Sequence, residues 1–384
     1  MIIEGRRKVR LEQSLGTCQL CGKHSSVISS GLGVCLKCII EREEEALRIS
    51  GRAHEKSRSG FGLPGIPPRE AGGLACGVCS NECRIGTNEL GYCGLVLNSD
   101  GRIVRRGGTP DRGVLQWYYD PLPSNCVAWW FCPGCTGMGY PKYSYKRGAE
   151  TGYTNLAVFY GACSFDCLYC QNWHYRSLAS EAKPLVSAED LSSKVTKQVS
   201  CICYFGGDPS VQMPHALRTS RIALESAQRE RRILRICWET NGYWSEKLAL
   251  EAAELSLASG GNIKFDLKTW NDSLSIALCG VSNAPTLQSF KLIGRKFSRE
   301  RMEPRVLTAS TLLIPGYVGV DEVRNISGFI SEIDPEIPYT LLAFYPRFVM
   351  SDLPTTSRKL AEACYDEAKS CLENVRVGNI HLLS

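Results

Sequence analysis

The sequence has no apolar run approaching the length of a transmembrane helix, which excludes a helical membrane span. Its first residues, MIIEGRRKVR, lack the apolar core of a signal peptide. A cytoplasmic chain with no membrane partner is therefore expected. A strong charge of either sign is also missing. Lys and Arg total 45 against 39 Asp and Glu, a net charge of +6. That balance permits an acidic partner without demanding one, and nucleic acid is not indicated. The basic group Arg6, Arg7, Lys8 and Arg10 reads as a solvated tail. No internal repeat appears beyond the cysteine motifs.

Cysteine is abundant, with 20 in 384 residues. In a reducing compartment, clustered cysteines are metal ligands more often than disulfides, so more than one metal centre is expected. The length allows one large core with one or two small satellites.

Residues 1–50 read as a zinc-ribbon-like unit. CQLC and CLKC place Cys18, Cys21, Cys35 and Cys38 as two knuckles, the pattern of a closed structural zinc site. Zinc would hold together a segment too short for its own core. Glu41–Arg48 is a charge-rich helix with a solvated face. Residues 51–73, rich in Gly and Pro, read as a flexible linker. Residues 74–150 form a loop-rich cysteine region. Cys76, Cys79, Cys83 and Cys93 make a second quartet, for which zinc and an auxiliary iron–sulfur cluster both remain open. Cys126, Cys132 and Cys135 are three, so a metal there needs a fourth ligand. Cys201, Cys203, Cys237 and Cys279 read as small apolar fillers, and Cys364 and Cys371 as structural.

Residues 151–384 change texture. Six β-rich runs (155–160, 201–205, 233–239, 263–267, 306–314 and 339–345) alternate with helical segments such as 245–257. Six β–α units predict an α/β fold with a parallel sheet, too few for an eight-unit barrel, hence a partial (β/α)6 barrel. A doubly wound sheet is the alternative. Ligands in such folds bind at the C-terminal ends of strands. The informative motifs sit there: ACSFDCLYCQNW with Cys163, Cys167 and Cys170, then GGDP (206–209), ETNG (239–242), DLK (266–268) and IPG (314–316). Three thiolates leave one iron of a cubane cluster open, and an amine with a carboxylate could chelate it.

The C-x3-C-x2-C loop, with Tyr169 before its last cysteine, resembles the radical S-adenosylmethionine (SAM) superfamily. GGDP, ETNG and DLK resemble the pyruvate formate-lyase activating enzyme branch. The cysteine-rich stretches and TTSR (355–358) resemble a poorly characterised group within it. This resemblance implies that Cys163, Cys167 and Cys170 ligate a [4Fe-4S] cluster whose open iron takes the methionyl group of SAM. It implies that Gly206, Gly207, Asp208 and Pro209 contact the methionyl amine. Glu239 and Asp266 would help hold a monovalent cation beside its carboxylate, with Lys268 beside them, Thr240 and Asn241 of the same ETNG motif would belong to the cofactor-binding set, and Ile314 would meet the adenine. Asp208 stands where Glu is usual, Glu239 where Asp is usual, and Tyr345 about where a histidine is usual.

The expected activity is reductive cleavage of SAM to a 5′-deoxyadenosyl radical that abstracts hydrogen, with the protein supplying position and exclusion of water. The hydrogen would come from a glycine of a protein partner, as in glycyl-radical activases. The alternatives are radical modification of another peptide, nucleic acid or metabolite using an auxiliary metal centre, and a non-catalytic iron–sulfur and zinc electron carrier. A donor such as ferredoxin or flavodoxin is implied.

Overall fold

The structure is a computed structural model and describes residues 15–124 and 126–384. The basic group at Arg6–Arg10 lies outside the described residues. Nine strands form one sheet: β1 (Arg112–Pro121), β2 (Thr154–Tyr160), β3 (Leu185–Ser187), β4 (Val199–Gly206), β5 (Arg235–Thr240), β6 (Ile263–Asp266), β7 (Leu307–Leu313), β8 (Tyr339–Ala343) and β9 (Val375–Gly378). Their order is β9-β8-β7-β6-β5-β4-β2-β1-β3.

From β2 through β4 to β9, each strand pairs parallel with the next in sequence. A doubly wound sheet would reverse its strand order at a switch point. This one never does, so right-handed crossovers put the helices on one face and the other face curls inward. The result is the expected open, partial barrel. It has a seventh parallel strand, β9, and an antiparallel edge formed by β1 and β3.

The period-two alternation of the strands separates two environments. Leu156, Val158, Ile202, Tyr204, Ile236, Trp238, Ile263 and Phe265 point outward into one apolar core with helix residues such as Ala252, Phe290 and Ile330. The alternate positions, including Cys201, Cys203, Arg235, Cys237, Glu239, Lys264 and Asp266, point into the barrel.

Two sequence expectations are corrected here. The segment expected to begin a flexible linker at residue 51 instead continues a helix, Glu43–Ser59. Its buried His54, Ser57 and Arg58 anchor it to the barrel, which composition alone does not reveal. The cysteine-rich region does not end at residue 150 as a separate unit either, because its β1 pairs with β2 over seven residues. After β1 the chain turns beneath the barrel floor. There Glu150 forms a buried ion pair with Arg235 (2.7 Å) and accepts from Ser200 Oγ (2.6 Å).

The N-terminal unit also docks firmly. The Ser29 N–H donates to the Tyr317 hydroxyl at 3.0 Å, and that hydroxyl donates to the Val34 carbonyl at 2.9 Å. Among the described residues, no helix is long and apolar enough to cross a membrane.

Candidate active site

The three-cysteine loop leaves the top of β2 and is clamped from two sides. Asp166, within it, is buried. Its carboxylate accepts from His54 Nδ1 (2.8 Å), Ser57 Oγ (2.6 Å) and Arg176 Nε (3.0 Å), with the Arg58 guanidinium at 3.6 Å. Burial pushes the Asp166 carboxyl up, but the His54 bond and the Arg176 and Arg58 charges outweigh it and bring it down to about 2. The Asp166 and Leu168 N–H groups donate to the Cys279 and Leu278 carbonyls at 2.8 and 3.0 Å. Cys163 and Cys167 are thus held buried, with Cys170 half-buried. The Phe165 N–H and the Asn241 amide donate to Cys163 Sγ at 3.3 and 3.5 Å.

The loop after β4 lies against this one. Gly206 has φ +109°, and a Cβ on Gly207 would fall 2.1 Å from the Ala162 carbonyl oxygen, so both positions require glycine. Asp208 is buried at the wall of the site. Its carboxylate accepts from the N–H of Ser210 (2.6 Å) and of Asn241 (2.5 Å) and from the Thr240 hydroxyl (3.2 Å). It therefore ties GGDP to ETNG and is a positioning residue. Its burial raises its pKa, and the hydrogen bonds oppose that shift.

The ends of β5 and β6 bring four charges together. Lys264 Nζ lies 3.0 Å from Glu239 Oε2 and 3.6 Å from Asp266 Oδ1. Lys268 Nζ lies 2.9 Å from Asp266 Oδ2, and the Ser310 hydroxyl donates to Asp266 at 2.6 Å. Burial alone would neutralise Lys264, Asp266 and Lys268. The two lysines instead hold the Asp266 carboxyl well below the usual carboxylate range, and the carboxylates hold both ammoniums above theirs. Sequence reasoning missed Lys264. Its signal is a lysine at an inward position of a short buried strand, Ile263–Asp266.

The three thiols, Gly206–Asp208, Glu239–Asn241, Asp266 and Lys268 line one cavity of about 270 Å³, with Tyr169 at its edge. Pro209 and Ile314 do not reach its wall. Pro209 is buried in a short 3₁₀ turn, and Ile314 is buried in the core, so Leu312 and Leu342 supply the apolar wall instead. Tyr345 is exposed, beneath the Arg347 guanidinium, and takes no part in the cavity.

Elsewhere, Cys18, Cys21, Cys35 and Cys38 bring their sulfurs within 4.8 Å of one another, close enough to share one ion. Burial raises the Cys18 thiol, but the N–H groups of Cys21, Cys35 and Leu20 outweigh it and bring it down to about 6. Cys76, Cys79, Cys83 and Cys93 are also neighbours. Burial pushes the Cys79, Cys83 and Cys93 thiols up, and Arg105 Nη1 lies 3.6 Å from Cys76 Sγ.

A partial barrel with a three-thiol loop at its mouth defines a class, and residues 157–321 match the model of the Radical SAM superfamily. The chain carries a radical SAM domain, a family that implies a [4Fe-4S] cluster and SAM. The buried thiols, the N–H donor on Cys163 and the adjoining cavity fit that pair.

Two Methanocaldococcus jannaschii proteins are similar. One, uncharacterised, is 24% identical over 80% of this chain and 81% of its own length. The other, named as a candidate glycyl-radical enzyme activating enzyme, is 25% identical over 47% of this chain and 64% of its own. Among solved structures, Streptococcus suis SuiB bound to its precursor peptide SuiA covers 57% of this chain and 47% of that chain, at 15% identity and TM-score 0.43. A domain of pyruvate-formate lyase-activating enzyme from Bacteroides vulgatus covers 43% of this chain and 94% of that one, at 14% identity and TM-score 0.34. The chain thus spans less than two thirds of the named activating enzyme and of SuiB.

Proposed function

We propose that this chain is a radical SAM enzyme whose cluster is ligated by Cys163, Cys167 and Cys170, and which takes hydrogen from a glycine of a protein partner. The observation that carries the reading is the single cavity shared by the three thiols and the GGDP, ETNG and DLK loops. Cys163, Cys167 and Cys170 would hold the cluster, which with bound SAM would supply one-electron reductive cleavage chemistry. The chain's own residues do the rest. The backbone of Gly206 and Gly207 borders the cavity, where an amine would meet it. Lys268 and Lys264, balanced by Asp266 and Glu239, face a carboxylate. Leu312 and Leu342 exclude water from the adenosyl side.

The Lys264 ammonium fills the role a monovalent cation would otherwise play between Glu239 and Asp266. The glycine target rests on the 25% identical relative named as an activating enzyme. Ferredoxin or flavodoxin would supply the electron. The Cys18–Cys38 quartet suits structural zinc.

The target is tested by co-incubating the reduced enzyme and SAM with co-expressed candidate partners. A glycyl doublet in the partner's electron paramagnetic resonance (EPR) spectrum is expected. Its absence with every candidate, while 5′-deoxyadenosine still forms, would favour the second reading, modification of another peptide, nucleic acid or metabolite. The cysteines upstream of the barrel favour that reading.

A further inference from the structure

The loop after β1 carries Cys126, Cys132 and Cys135 into the barrel from below. Trp130 Nε1 donates to the Thr340 hydroxyl of β8 at 3.2 Å, and Cys126 Sγ donates to Glu239 Oε1 of β5 at 3.1 Å. This loop therefore reaches the underside of the SAM cavity, and Val127 joins the cavity wall.

The barrel meets it with thiols of its own. Cys203 of β4 and Cys237 of β5 are register partners on adjacent parallel strands, so both side chains face inward side by side. They lie one inward layer below Glu239. Glu239, Cys126, Cys237 and Cys201 lie around Cys203, and Cys132, Arg235 and Arg301 lie near Cys237. The expectation that these two are apolar fillers does not account for this setting. A pair of fillers would not gather the loop thiols Cys126 and Cys132 and a carboxylate around it.

The backbone around these sulfurs is arranged as at the other candidate metal sites. The Ala128 N–H points at Cys126 Sγ (3.4 Å), as the Phe165 N–H points at Cys163 Sγ (3.3 Å). The N–H groups of Gly134 and Cys135 point at Cys132, two and three residues on. Leu20 and Cys21 point at Cys18 with the same offsets. Such donors stabilise metal-bound thiolates.

Spacing selects the kind of centre. Among the described residues, the N-terminal quartet brings four sulfurs within 4.8 Å of one another, as one tetrahedral ion requires. Among the described residues no other group of three or more such ligands lies that close, so the barrel thiols do not form the compact set that one tetrahedral ion requires.

We propose that the barrel floor holds an auxiliary iron–sulfur cluster ligated by Cys126, Cys132 and Cys135, with the fourth thiolate from Cys237 or Cys203. The site is separate from the SAM cluster and from the Cys76–Cys93 quartet.

The test uses the full chain, reconstituted anaerobically with ferrous iron and sulfide. The parent carries Cys163→Ala, Cys167→Ala and Cys170→Ala, which removes the upper cluster. Adding Cys132→Ser and Cys135→Ser should remove a further about two to four irons per chain, the content of a [2Fe-2S] or [4Fe-4S] centre. Unchanged iron would overturn the site, and zinc in place of iron would overturn the cluster assignment.

Either Cys237→Ser or Cys203→Ser should shift the EPR g-values of the reduced centre, and a spectrum unmoved by both removes the fourth ligand. Cys201→Ala, in the same barrel interior, should keep its iron. If the serine variants fail to fold, thiol alkylation of the parent read by mass spectrometry decides. Cys126, Cys132 and Cys135 should react with iodoacetamide only after a chelator removes iron. Equal labelling before and after would contradict the proposal.

Discussion

Lys264 shows what one residue does at this site. Its ammonium sits between Glu239 and Asp266, with its side chain almost wholly buried. Removing one partner from a buried ionic set leaves uncompensated charge and costs on the order of 3 kcal/mol. Lys264→Met is therefore expected to weaken SAM binding at least tenfold in equilibrium dialysis, with partial rescue by added potassium. The wild-type enzyme is expected to cleave SAM equally well in sodium and potassium buffers.

Asp166 gives a second residue-scale expectation. Its folded pKa, about 2, lies below the unfolded value near 4, so its contribution is present above pH 4 and is lost as pH falls through 2. A carboxyl held that far below its unfolded value contributes about 2–3 kcal/mol. Asp166→Asn should lower the melting temperature at pH 7 and flatten the acid limb of the stability curve between about pH 4 and pH 2. An acid limb identical to wild type would contradict the clamp.

At the scale of elements, six parallel strands were legible because each is a short β-rich run followed by a helical pattern. β1 was missed because its sequence, RGVLQWYYDP, lies within a cysteine-rich stretch. β9, four residues of VRVG, is too short to signal itself. The motifs at the strand ends were legible because chemistry-bearing residues recur at one end of consecutive strands. Their partners were not, since Lys264, His54 and Arg58 act through contacts between distant parts of the chain.

The helix Glu43–Ser59 makes this concrete. Composition gives a linker after residue 50, whereas burial makes His54, Ser57 and Arg58 part of the support for the cluster loop. Deleting residues 1–73 is therefore expected to give insoluble or cluster-free protein, judged by soluble yield and iron content. A soluble barrel with full iron would restore the linker reading.

Across the whole molecule, an open barrel carries thiols at both its mouth and its floor. Between them, Glu239 and Lys264 form the inner wall of one cavity. The N-terminal unit packs on the loop that follows β7, where a Cβ on Gly316 would meet the Val27 carbonyl oxygen. The cysteine-bearing segments are therefore built onto the catalytic scaffold, and metal content and SAM chemistry should be linked in one folded unit. The most direct test quantifies 5′-deoxyadenosine from the reduced, anaerobically reconstituted chain with SAM, beside a Cys167→Ala variant. The account requires nucleoside from the wild type and at least a hundredfold less from the variant. Equal yields, or none from a wild type with a verified cluster that fails to bind SAM, would contradict it.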